Sequence, residues 1–294
     1  MSLVRKQQNT IKKKINCKKI DKKKRHLTKL ENELTLKNNN KDDDKVDFIF
    51  SVCMTIKNRS SFLVTTEYES WIVCERTYIK CPEFKKEPKV VNEGKQYHLN
   101  HFENCVNSLI NATKNWSNEK KIQLVVADFT STDVNVEQLL QSMLKESENI
   151  VFKYVLINES KFSRGRGLNI AMDCAESDNL IFFDADMYLQ NDNFLKQCME
   201  LFKTEDSAYF PICFCFRTPQ HDLGWWEKYG YGMVGIKKST LKGYRWEERN
   251  SWGLEDDNFH KYCQTLGLNI KRCNCHGLFH QWHPEAKSFK EQYM

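Results

Sequence analysis

The chain has 294 residues, 40% of them apolar and 12% aromatic, enough to bury one large core or two small ones. Its formal charge of +6 is uneven: residues 1–45 carry a net +9 and the remainder a net −3. A mildly acidic body argues against a broad phosphate-binding face, and so against nucleic acid as the partner of the folded part.

Residues 1–45 are a low-complexity run of Lys and Asn closing on Asp42-Asp43-Asp44, and they read as a solvated, disordered tail. Ile20, Leu27, Leu30 and Leu34 have helical spacing, which leaves a short helix between Asp21 and Leu36 open. The rival reading is a basic arm for nucleic acid or an anionic membrane surface, although no aromatics are interleaved for base stacking. No apolar h-region follows Met1, and no window approaches the roughly 20 apolar residues of an integral membrane segment. The 12 cysteines are therefore expected to be mostly free thiols in a reducing, cytoplasmic setting. The Lys/Asn richness fits an AT-rich genome, such as that of a parasite or a large virus.

From Asp47 the pattern changes. Phe48–Met54 is a short apolar run that predicts a buried strand. Residues 75–97, with two prolines and many charges, read as an insertion or surface loop. Helical periodicity over His98–Thr113 is followed by a strand at Ile122–Ala127, ending on Asp128. A helix over Val136–Ser147, a strand over Ile150–Ile157, a helix from Gly167 to Glu176 and a strand over Leu180–Phe183 complete the alternation. Such alternation predicts an α/β fold with a mixed, mostly parallel sheet flanked by helices on both faces. Ligands in such sheets collect beyond the carboxyl ends of the strands, where Lys57-Asn58-Arg59, Asp128 and Asp184 fall. Residues 46–294 are read as one domain, with 46–186 its nucleotide-binding half and 187–294 its acceptor and catalytic half.

Four constellations carry chemistry. Asp184-Ala185-Asp186 ends an apolar strand, and two carboxylates there repel unless a cation lies between them; hard divalent cations take oxygen ligands and bridge to phosphate. An extended segment would put Asp184 and Asp186 on one side. In Ser251-Trp252-Gly253-Leu254-Glu255-Asp256-Asp257, three acids open a helical pattern that continues through Phe259 and Tyr262. Acids in a first turn suit the helix dipole, but the Trp-Gly lead-in adds a flat surface and close backbone approach. Asp256 is the candidate base for an attacking hydroxyl. Gly277–Pro284 carries His280 and His283, and a neutral imidazole would complete a metal site with Asp186. Nearby Cys273-Asn274-Cys275-His276 invites a zinc reading, but zinc pairs are spaced by two to four residues, not one. Finally, Phe162-Ser163-Arg164-Gly165-Arg166-Gly167 reads as a diphosphate-binding turn with flexible glycines and two guanidinium groups.

Together these residues resemble the GT-A superfamily of glycosyltransferases. They are most similar to chondroitin-type N-acetylgalactosaminyl and glucuronyl transferases and to β-1,4-galactosyltransferases. The resemblance implies a metal-dependent, inverting transfer from a UDP-sugar to a hydroxyl of a glycan or glycoconjugate, with manganese or another divalent cation such as magnesium. It implies donor contacts at Thr55, Lys57, Arg59, Asp128 (to uracil), Phe162, Arg164, Asp184, Ala185 and Gly232. It further implies acceptor contacts at Trp252 and Glu255, Asp256 as base, and Asp186 as metal ligand with either His280 or His283. Leu254 departs from the Trp-Gly-Gly-Glu-Asp pattern, where a second glycine is usual. The rival enzyme class, a sugar-phosphate nucleotidyltransferase, carries a glycine-rich signature after its first strand, and Lys57-Asn58-Arg59-Ser60 has no glycine.

Overall fold

The computed structural model describes residues 46–59, 62–65, 79–81, 91–93, 96–117, 119–218, 221–249 and 253–283. Two units separate at Val46/Asp47, and every described helix and strand lies in the second. The expectations for the basic tail and for Trp252 lie outside the described residues.

In chain order, β1 (Phe48–Ile56) is followed by four short strands, β2 (Phe62–Thr65), β3 (Ile79–Lys80), β4 (Val91–Glu93) and β5 (Gln96–Leu99). Next come α1 (His101–Thr113), β6 (Lys121–Asp128), α2 (Val136–Leu144), β7 (Ile150–Leu156), α3 (Arg164–Cys174) and β8 (Asn179–Phe182). The later half supplies β9 (Met187–Leu189), α4 (Asn193–Leu201), β10 (Ser207–Tyr209), β11 (Ile212–Phe216) and β12 (Leu223–Trp226). It closes with β13 (Val234–Lys237), α5 (Glu255–Thr265), β14 (Asn269–Lys271) and β15 (Asn274–His280).

The main sheet has the order β14-β10-β13-β8-β1-β6-β7, with β8, β1, β6 and β7 parallel and β13 antiparallel to β8. β1 alternates its side chains between two cores, as the two-residue strand period requires. Val52, Met54 and Ile56 join residues of α1, α2 and α4, such as Phe102, Leu140 and Phe194. Cys53 joins residues of α3 and α5, such as Leu168 and Phe259. Each such fully buried Val, Leu or Phe contributes about 1.5–3 kcal/mol, which is why a strand covered on both faces reads as a continuous apolar run.

The structure corrects the sequence reading in four places. α3 starts at Arg164, not Gly167, because the Ser163 hydroxyl caps the helix by accepting from the Arg166 amide. The glycines of its first turn are not a flexible loop: a Cβ on Gly165 would lie 2.1 Å from the Glu247 carbonyl oxygen, and one on Gly167 would lie 2.0 Å from Thr55 Oγ1. They let α3 pack hard against β1 and against the segment before α5. Within the expected loop at 75–97, β3 and β4 are strands; β3 edges a second sheet, β3-β12-β11-β15-β9, and β4 belongs to a third, β2-β5-β4.

The second sheet positions the site. β15 runs antiparallel to β9 with His280 paired opposite Met187, so the end of β15 lies against the residue that follows Asp186. Asp184-Ala185-Asp186 is itself a turn, not an extended segment, closed by the Met187 amide donating to the Asp184 carbonyl at 3.2 Å. The two carboxylates consequently have different partners.

Candidate active site

Asp184 belongs to an arginine. Arg164, at the first position of α3, donates from Nε to Asp184 Oδ1 at 2.8 Å and from Nη2 to the Gly232 carbonyl at 2.5 Å. Its Nη1 lies 3.6 Å from Glu255 Oε1, and its guanidinium sits 5.5 Å from the Trp246 ring centre. Gly232 must be glycine for this arrangement, since a Cβ there would stand 2.9 Å from Asp184 Oδ2. Burial and the neighbouring Asp186 charge raise the Asp184 carboxyl, against the pull of Arg164. Burial alone would lower the Arg164 guanidinium, but Asp184 and Glu255 outweigh it and raise it. Arg166 is not part of the cluster: it pairs with Glu159 and Glu248 at the surface.

Asp186 belongs to histidines. Its Oδ2 lies 3.7 Å from His280 Nε2 and 3.8 Å from His283 Nε2. One ligand atom from each of Asp186, His280 and His283 falls within 4.8 Å of the others, the one such metal-ligating group among the described residues. The fold brings both His280 and His283 to Asp186. Burial would raise the Asp186 carboxyl, yet the fields of His280, Arg59 and His283 together hold it well below the usual carboxylate range. Three buried atoms of this site have no hydrogen-bond partner among the described residues: Asp186 Oδ1, Arg164 Nη1 and Glu255 Oε2. Each unpaired buried polar atom costs about 1–3 kcal/mol, and such a cost at one locus is what a site awaiting a ligand retains. A carboxylate with two imidazoles fits a divalent transition metal, with positions left for phosphate oxygens or water.

Two residues to which the sequence reading gave no role brace this group, although Gln281 stands in its His280-Gln281 motif. Gln281, 1% exposed, donates from Nε2 to the His101 and Met187 carbonyls at 3.0 and 3.2 Å, and accepts from Asn104 Nδ2 at 3.0 Å. Its amide donates to the Asp186 carbonyl at 2.9 Å. His101, at the start of α1, donates from Nε2 to the Trp282 carbonyl at 2.9 Å, and burial drives its pKa well below the ordinary value. A histidine on an apolar helix face carries no sequence signal of this role.

The other expected donor contacts sit at the carboxyl ends of β1 and β6 and at the start of α3. Thr55, 7% exposed, donates to the Ala127 carbonyl at 3.2 Å. Lys57 Nζ donates to the Ser160 carbonyl. Asn58 adopts φ 51° and accepts from the Thr132 amide at 2.8 Å, tying the β1 turn to the β6 turn. Asp128 is engaged on both oxygens, by the Ser131 hydroxyl at 2.6 Å and the Tyr154 hydroxyl at 2.9 Å. Phe162 packs edge-on against Phe129, with ring centres 5.1 Å apart; Ala185 is buried in the turn between the two acids. α5 opens with Glu255 buried toward Arg164 and Asp256 half-buried beside it, its Oδ1 accepting from the Asp257 amide at 3.0 Å. Burial raises the Glu255 carboxyl, against the pull of Arg164. The Cys273-Cys275 pair belongs to no metal-ligating group among the described residues: Cys273 points at Gln197 and Tyr209, and Cys275 accepts from Gln197 Nε2. The described cysteines are free thiols, and no described helix is long and apolar enough to cross a membrane.

Comparison with known proteins agrees with this architecture. The chain is 28% identical over 190 residues to human chondroitin sulfate N-acetylgalactosaminyltransferase 2, covering 56% of this chain and 34% of that protein. It thus spans about a third of that relative's length. Among solved structures, S. aureus TarS 1–349 in complex with UDP-GlcNAc superposes with a TM-score of 0.50 at 13% identity, over 80% of this chain and 59% of that one. The Pyrobaculum calidifontis mannosyltransferase PcManGT, in complex with GDP-Man and Mn2+, gives 0.51 at 10% identity, over 86% and 63%. Residues 92–266 match glycosyl transferase family 2. With more than half its length matched, the chain belongs to glycosyl transferase family 2, and its fold is GT-A.

Proposed function

We propose that this protein transfers a sugar from a UDP-sugar to a hydroxyl of a glycan or glycoconjugate, with inversion, and that a divalent cation assists. The observation that carries this reading is the Asp186–His280–His283 group beside the Arg164–Asp184–Glu255 cluster, each of the two holding buried atoms left unpaired. The name of the human relative supports sugar transfer, the UDP-GlcNAc and GDP-Man bound by the two structural neighbours support a nucleotide-sugar donor, and the first of these favours UDP.

Asp186, His280 and His283 would hold the cation. Two imidazoles suit manganese better than magnesium, which prefers an all-oxygen octahedron. When bound, the cation offsets the negative charge of the departing diphosphate. Arg164 adds fixed positive charge from the first turn of α3, an end of the helix that itself favours anions. Asp256 takes the proton of the acceptor hydroxyl as that oxygen bonds to the anomeric carbon. The bond from that carbon to the diphosphate oxygen breaks on the opposite face, so the configuration inverts. Glu255, buried and facing Arg164, contributes an acceptor atom for another hydroxyl of the same sugar.

The test is UDP release from a panel of UDP-sugars with simple glycoside acceptors and manganese. One donor is expected to turn over in wild type, and Asp256→Asn is expected to lose transfer while still binding UDP. No UDP release from any donor, together with no UDP binding by calorimetry, would overturn the proposal.

A further inference from the structure

Leu254 occupies a conformation that its own packing does not explain. It precedes α5 with φ 75° and ψ −21°, the left-handed region that glycine enters freely and a side chain resists. The backbone cannot relax out of it without losing a helix bond, because the Leu254 carbonyl accepts from the Asn258 amide at 2.9 Å. The isobutyl group gains no burial in return: Leu254 is 55% exposed and belongs to neither core. Gly253 before it has φ 90°, and a Cβ there would meet no described residue within 4 Å. The next residue, Glu255, is 7% exposed, holds Oε1 3.6 Å from Arg164 and leaves Oε2 without a hydrogen-bond partner. A strained, outward-facing apolar side chain thus adjoins a buried carboxylate with an unfilled acceptor atom.

From this juxtaposition we infer that Leu254 determines acceptor specificity, by packing against an apolar group of the acceptor whose hydroxyls are held by Glu255 and Asp256. The inference rests on the transferase reading above. The group recognised is one that an isobutyl side chain desolvates: an aryl or alkyl aglycone, not a further polar sugar. No described residue closes the space over Gly253, and the αL conformation fixes the Leu254 side chain outside the core.

The test compares aryl and methyl β-glycosides of the same sugars as acceptors, using the full chain and the donor found by UDP release, in wild type, Leu254→Ala and Leu254→Gly. Covering the exposed part of a leucine side chain predicts a wild-type preference of about tenfold in kcat/KM for the aryl acceptor, lost through a higher KM for that acceptor in both variants. The ratio cancels any uniform loss of activity. Leu254→Ala keeps the backbone constraint and Leu254→Gly relieves it, so a loss common to both assigns the effect to the side chain. An equal preference in wild type and both variants overturns the inference and leaves the transferase reading standing. No UDP release from any donor overturns both.

Discussion

Gln281→Met tests how the metal-ligating group is held. The substitution keeps the side chain's length and apolar stem but deletes three hydrogen bonds, to the His101 and Met187 carbonyls and from the Asn104 amide. The His101 carbonyl lies in α1, whereas the Met187 carbonyl lies on β9, the edge strand of the second sheet. With about 1–3 kcal/mol for a buried group left unpaired, the loss comes to about 2–4 kcal/mol after the gain from burying a thioether. For a domain of this size that lowers Tm by about 4–16 °C. The second effect is specific to the site. Gln281 ties α1, the residue after Asp186 and the segment carrying His280 and His283 to one another, so manganese affinity should fall about 10- to 100-fold. Thermal melting in EDTA reads the first effect, and manganese titration followed by electron paramagnetic resonance reads the second. An unshifted melting temperature with unchanged manganese affinity would refute the bracing role.

Other residues give contrasting expectations. Arg164→Ala should cut turnover by two or more orders of magnitude, the order seen for removing a buried charge-stabilising donor, whereas Arg166→Ala, whose pairs are at the surface, should cost below about 1 kcal/mol in stability; steady-state rates and urea melts separate them. Gly167→Ala drives a methyl into Thr55 Oγ1 and should destabilise by about 1–3 kcal/mol, read as a lower urea midpoint at unchanged m-value. His101 is held neutral by burial, so its contribution is fully present above the unfolded pKa of about 6.5 and is lost as pH falls below it, at up to about 1.4 kcal/mol per pH unit. His101→Asn in EDTA should accordingly show a shallower loss of stability from pH 6.5 to 5; an identical slope would show that His101 is protonated in the native state.

Much of the scaffold was legible because its signals are local. The apolar runs of β1, β6 and β8 are strands buried on both faces, β7 is an edge strand with Val151 and Leu156 exposed, and the ends of β1, β6 and β8 deliver Lys57, Asp128 and Asp184, as the parallel-sheet reading required. Asp186 and the histidine pair were legible as types of ligand, but their convergence depends on the pairing of β15 with β9, residues some ninety positions apart. Short strands such as β9 have no periodicity to reveal them. Gly165 and Gly167 mislead because close packing and loop flexibility draw on the same residue, and only the neighbours, Glu247 and Thr55, distinguish the two. Gln281 and His101 act through hydrogen bonds to carbonyls, which leave no trace in residue spacing.

In the proposed reaction Asp186, His280 and His283 hold a cation on which sugar transfer depends. The most direct measurement of this dependence is UDP release from the preferred donor in manganese and in EDTA, by wild type and Asp186→Ala. Release is expected in manganese, none in EDTA, and none from the variant under either condition. Release that is insensitive to EDTA, or undiminished in Asp186→Ala, would contradict it.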